Sequence, residues 1–186
     1  MSYTTTLPHV LQAEGGYVYN IHDSGGETFR GVSRVNNPGW PGWPLIDAAK
    51  KQVGATAAAI NKFFQGDAEM YALVADIYRS SYYNAVARFT TRERPIDKMF
   101  DTAVNIGVKW AIKLAQRIVD TPADGLIGPN TQAAATIYFA QPNGENKFLA
   151  VYCAAQLGYY LDLVKKKPNQ ARFLDGWKAR AAWRPE

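Results

Sequence analysis

The sequence predicts a mainly α fold of α+β type: a helical bundle in two lobes, with one small β-hairpin after the first helix. Three observations carry this. Apolar residues recur at helical spacing through much of the 186-residue chain. The aromatic and β-branched run Tyr17-Val18-Tyr19-Asn20-Ile21 precedes the turn signal Asp23-Ser24-Gly25-Gly26 and a returning segment, 28–32. A polar, charged stretch at 90–94, just ahead of Pro95, marks a lobe boundary. It gives lobes of residues 1–92 and 93–186, packed together.

The first helix can be capped by Thr5 or Thr6, and Pro8 suits a first turn, where an N–H has no partner anyway. Leu7, Val10, Leu11 and Glu14 fall at i, i+3, i+4 and i+7, so a carboxylate ends an otherwise apolar stripe. Gly15-Gly16 stops the helix. Partial burial and the carbonyl end of the helix both disfavour the anion, which should raise the pKa of Glu14 as general-acid catalysis requires. Position alone also permits a glutamate that reaches solvent or pairs with an arginine. The hairpin that follows would wall a groove beside this carboxylate, bringing Asp23 and Thr28 with it.

Here the chain resembles a known family. Glu14-Gly15-Gly16-Tyr17, then Asp23-Ser24-Gly25-Gly26-Glu27-Thr28-Phe29-Arg30-Gly31-Val32, is similar to the N-terminal signature of the glycoside hydrolase family 108 N-acetylmuramidases, within the lysozyme-like superfamily. The Glu–Asp–Thr order also resembles phage-type lysozymes. Eight residues lie between Glu14 and Asp23; the four between Asp23 and Thr28 are one fewer than in those enzymes. The resemblance implies Glu14, Asp23 and Thr28 as catalytic residues, and Tyr17, Gly26, Arg30, Asp101 and Asn105 as substrate contacts.

Segment 36–47 holds three prolines and two glycines and reads as a structured loop. Trp40 and Trp43 either stack on sugars or pin this loop, and pinning is favoured because buried aromatics usually serve packing. Two short helices interrupted by Gly54 should follow, then a long helix capped by Asp67 and reaching about Ala87. Its Ile77-Tyr78-Arg79-Ser80-Ser81-Tyr82-Tyr83 stretch is similar to one in the family. A helix from Pro95 carries Phe100-Asp101-Thr102-Ala103-Val104-Asn105, again family-like, with Asp97, Asp101 and Asn105 as a polar stripe. That stripe is either a solvated face or, if it lines the cleft, a sugar-facing one. Gly107 breaks the path ahead of another amphipathic helix. Asp124-Gly125-Leu126-Ile127-Gly128-Pro129-Asn130-Thr131 resembles a turn of small peptidoglycan-binding domains, and Phe173-Leu174-Asp175-Gly176-Trp177-Lys178-Ala179-Arg180 resembles the family's terminal helix. Between them a helix should run from Asn143 or Gly144 to about Val164.

Hydrophobic content of 47% and charged content of 20% suit a soluble globular protein. The single cysteine, Cys153, excludes an internal disulfide and reads as a small buried hydrophobe. A net charge of +5 favours anionic partners. No nucleic-acid-binding signature accompanies it, so it reads as attraction to an anionic wall or simply as a solvated basic surface. His9 and His22 lack metal-ligand spacing, and neither metal nor cofactor is implied.

The function the resemblance implies is hydrolysis of the β-1,4 bond between N-acetylmuramic acid and N-acetylglucosamine in peptidoglycan glycan strands, by a monomeric phage or prophage endolysin. Glu14 would protonate the leaving oxygen. Asp23 would supply the second carboxylate, at about 5–5.5 Å for retention or about 6.5–9.5 Å for inversion. Thr28 would position water, and Glu27 is a weaker candidate because it alternates away from Thr28. A lytic transglycosylase, or a non-catalytic wall-binding or secretion-accessory module, are the alternatives. No signal peptide and no membrane-length apolar run are seen. The expectation is therefore synthesis in the cytoplasm, no stable membrane insertion, and passage to the periplasmic wall through a holin or an export apparatus.

Overall fold

A computed structural model describes residues 3–19 and 26–186. It is mainly α, with a small antiparallel sheet near the N-terminus. The chain divides into two compact units, Leu7–Ser80 and Met1–Thr6 with Ser81–Glu186. Among the described residues, no helix is long and apolar enough to cross a membrane.

Helix α1 (Tyr3–Gln12) begins earlier than its capping signals suggest, with Pro8 inside it. Thr5 and Thr6 are thus helical residues rather than caps. The reason is tertiary: the Tyr3 ring packs 4.9 Å from Tyr83 and 5.6 Å from Phe100, so the first turn is worth ordering. Leu7, Val10 and Leu11 are buried, as their spacing requires. Ala13 and Glu14 lie just past the helix, in tightened turns that bond to Val10 and Leu11.

In the Leu7–Ser80 unit, β1 (Tyr17–Tyr19), β2 (Glu27–Phe29) and β3 (Val32–Ser33) form a sheet in that order. Tyr17 pairs with Phe29, Val18 with Thr28 and Tyr19 with Glu27; Phe29 then pairs with Val32. The expected hairpin is therefore joined by a second, tight one over Arg30-Gly31. Tyr17, Glu27 and Phe29 share the buried face, while Val18 lies half exposed on the other face with Thr28. Helix α2 (Gly42–Val53) starts inside the proline-rich segment, because Pro44 falls in its first turn. Trp40 and Trp43 are buried against each other at 5.0 Å, and their indoles donate to Leu73 O and Asn37 O. Both tryptophans pin the loop.

Thr56 caps α3 (Ala57–Phe63), and Asp67 caps α4 (Ala68–Tyr78), where Asp67 Oδ1 accepts from Met70 N at 2.8 Å. The helix expected to reach Ala87 does so through a π-turn, Arg79–Tyr83, that leads into α5 (Asn84–Ala87).

The other unit is built around α6 (Glu93–Ile106), flanked by α5, α7 (Val108–Ile118) and α9 (Gly144–Lys166). Helix α8 (Pro129–Ala140) also packs on α9, as does α10 (Leu174–Ala182). Residues 95–103 of α6 are all buried. Two members of the polar stripe, Asp97 and Asp101, are shut into the core because α6 has helices around it, and Asn105 is half-buried at its end. Arg180 Nε donates to Asp101 at 2.9 Å, and the Lys98 ammonium donates to the carbonyls of Arg180, Ala181 and Trp183 at the end of α10. The family-like turn at 124–131 wraps the buried side chain of Gln116, whose amide bonds to Asp124, Gly125, Leu126 and Thr131.

Candidate active site

Glu14 is half-buried and follows α1 directly. Gly15, with φ +70°, takes the left-handed conformation that turns the chain away from the helix. A Cβ on Gly16 would displace the Asn61 amide. That amide accepts the Tyr17 N–H at 2.6 Å and fixes the start of β1.

The β2–β3 turn closes against Glu14. Arg30 and Gly31 both have positive φ, 45° and 78°, as a primed two-residue hairpin requires. Arginine in this region is strained by roughly 1–2 kcal/mol. The turn is held from two sides: Arg30 N donates to Gly16 O at 3.0 Å, and the Tyr78 hydroxyl donates to Arg30 O at 2.8 Å. A Cβ on Gly31 would stand 3.1 Å from Glu14 Oε2 and would collide with the Tyr78 hydroxyl. Only glycine lets this backbone approach the carboxylate so closely. Beside it, Gly15, Gly16, Arg30, Asn61 and Tyr71 line an open groove of about 440 Å³. The arrangement offers one carboxyl group packed against a supported turn whose Arg30 lines the groove, which suits proton donation.

Glu27 faces the other way. It is buried, accepts from the Tyr17 hydroxyl at 2.9 Å, and pairs with Arg34 at 2.8 Å and with Lys50. Arg34 also grips Asp47 with two bonds, and this guanidinium holds the Asp47 carboxyl below its ordinary value. Burial raises the Tyr17 hydroxyl pKa, with Glu27 adding to it. Tyr17 and Glu27 therefore belong to a charge network that ties the sheet to α2.

Thr28 is half-buried on the face opposite Glu27, one residue before Phe29 and the turn. Gly26 opens β2 with φ +59°. Asp23 lies outside the described residues. Asp101 and Asn105 sit in the other unit and are committed there: Asp101 to Arg180, and Asn105 Oδ1 to the Tyr160 hydroxyl at 2.7 Å. Asp101 is buried and supports packing around α6, while Asn105 stays half-buried beside Tyr160. The residue that sequence reasoning missed beside Glu14 is Tyr78. Tyr78 lies in the family-like stretch 77–83, but nothing in that stretch points to Arg30, 48 residues away.

Comparison with known proteins divides the chain later than the structural units do, near residue 105 rather than residue 80. Residues 7–107 match the family model described as Glycosyl hydrolase 108. The chain belongs to the glycosyl hydrolase 108 family. Residues 103–182 match a second model, described as a Predicted Peptidoglycan domain. Together the two matches support a peptidoglycan hydrolase. The glycosyl hydrolase 108 match contains the whole Glu14–Gly31–Tyr78 cluster. Among solved structures, the chain is similar to SagA of Brucella abortus, with 26% identity and a TM-score of 0.62 over 97% of this chain and 89% of that one. No curated protein matches the sequence.

Proposed function

We propose that the protein is an N-acetylmuramidase that cleaves the β-1,4 bond between N-acetylmuramic acid and N-acetylglucosamine, with Glu14 as the general acid. The observation that carries this reading is the close approach of the Arg30-Gly31 turn to the Glu14 carboxylate. A surface glutamate with no task would not need a glycine-only turn packed against it. The adjoining groove is large enough to seat sugar rings along that turn. Protonation of the glycosidic oxygen by Glu14 would develop oxocarbenium character on the departing sugar, as in other glycosidases. In this reading Asp23 supplies the second carboxylate and Thr28 positions the attacking water. Tyr78 positions the turn, and through it the acid. Peptidoglycan is the partner, and the cell wall is where the enzyme acts.

The test is clearing of purified peptidoglycan by the wild type and by Glu14→Gln, with the products analysed. Glutamine has nearly the same shape but cannot act as an acid, so the rate should fall about 10²–10⁴-fold with the fold unchanged. Asp23→Asn and Thr28→Ala should each slow turnover, Asp23→Asn more. New reducing ends at muramic acid are expected. A 1,6-anhydro end would instead assign a lytic transglycosylase, and a Glu14→Gln protein clearing at the wild-type rate would remove Glu14 from the chemistry.

A further inference from the structure

The helical unit carries a second concavity. Between α7, α8 and α9 lies an open groove of about 820 Å³, within the range of small-ligand sites. Trp110 marks one part of it, 40% exposed, with its ring 5.3 Å from that of Tyr159. Arg117, Asp162 and Lys166 supply its charges, and all three are exposed. Gly158 lies in the wall, and nothing approaches within 4 Å of where its Cβ would be, so the groove is open at that point. None of these residues belongs to the Glu14 site, and all fall within residues 103–182.

We propose that this groove binds the peptide stem of peptidoglycan, and so anchors the enzyme to the wall independently of Glu14. The inference rests on the wall being the substrate, as proposed above. The chemistry of the lining selects the stem. Two cations face an apolar trough together with one carboxylate. A stem offers the complement: small methyl-bearing side chains for the trough, carboxylates for Arg117 and Lys166, and an amine for Asp162. A bare glycan strand fits less well. Sugar hydroxyls call for amide and carboxylate side chains around a stacking aromatic, and Asp162 is the one such side chain lining this groove. An anchor of this kind would raise the local concentration of glycan at the Glu14 site without any new catalytic group.

The experiment uses the full chain carrying Glu14→Gln, so that the wall is bound and not degraded. Co-sedimentation is measured with intact sacculi, with sacculi stripped of stems by an amidase, and in competition with the soluble tetrapeptide stem. Gly158→Leu should fill the groove; its side chain enters open space and leucine favours the helix, so the fold should hold. A paired Arg117→Glu and Lys166→Glu variant reverses the charges on exposed positions and serves if the first variant misfolds. The expected result is a tenfold or greater loss of binding to intact sacculi for either variant, a similar loss for the parent on stripped sacculi, and competition by the soluble stem. Equal binding to intact and stripped sacculi would overturn the proposal, as would variants that bind like the parent. Hydrolysis of stem-free glycan oligomers is measured in parallel with Glu14 restored, and Gly158→Leu should leave it unchanged. Failure of that hydrolysis in the parent would sink the muramidase reading alone, and normal wall binding by the groove variants would sink the anchor alone.

Discussion

A methyl group added at Gly31 would enter space held by the Tyr78 hydroxyl and press on Glu14. The backbone there has φ +78°, so alanine meets conformational strain as well as a clash. Gly31→Ala should cost about 2–4 kcal/mol of stability and most of the clearing activity. Gly15→Ala is the matched control: φ is +70°, but no atom lies within 4 Å of the added Cβ. It should cost only about 1–2 kcal/mol. Thermal melts and clearing rates of the pair separate strain from steric approach, and equal behaviour of the two would show that the close approach is not special. The short motif around Glu14 was readable because its glycines and carboxylate stand next to one another in the chain. Tyr78 was not, since its bond to Arg30 spans 48 residues and leaves no local pattern.

At the scale of elements, helix boundaries were readable where a side chain or a glycine sets them, as at Asp67, Gly54 and Gly107. Strand β3 was not, because two residues are too few to show alternation. The burial on helix α6 was not readable for a different reason. Its polar residues repeat as they would on a wet surface or a cleft wall, and only the helices packed around it reveal that Asp97 and Asp101 are core. Asp101 and Arg180 fall in two separate family-like stretches, yet they form one ion pair at 2.9 Å that fastens α10 to α6. Asp97 has a measurable consequence. Burial pushes its carboxyl from an ordinary 3.8 up to about 6. The folded chain thus holds this proton more tightly than the unfolded chain does. The contribution to stability is full below about pH 4 and is lost as pH rises through about 6. Asp97→Asn should therefore stabilise the protein by roughly 1–3 kcal/mol at pH 8 and by little at pH 4. Denaturation midpoints across that range check it, and a gain independent of pH would mean that the carboxyl is not its source.

At the scale of the whole molecule, the net charge of +5 should make attachment to an anionic wall depend on salt. Raising ionic strength toward about 1 M shortens the screening length to roughly 3 Å, so clearing of intact wall should slow while hydrolysis of a neutral soluble oligosaccharide should not. Equal salt responses for the two substrates would assign the charge to solubility alone. The division into units was not readable from composition, because the first residues join the later unit through ring contacts of Tyr3 with Tyr83 and Phe100. The expected boundary at 90–94 falls inside that unit, and the helix running through residue 80 carries no breaker to mark the change. This threading bears on how the protein is made. Leu7–Ser80 is an insertion between two parts of one body. Tyr3 leaves the ribosome well ahead of Phe100, and at about 5–20 residues per second it waits some 5–20 s for that partner. The inserted unit can fold during the wait, but the body around it stays open at its first turn. A nascent chain stalled before residue 83 would hold a finished sheet and an unfinished α1, and a gene fragment ending at residue 107 would leave α6 without the α7 and α9 that surround it.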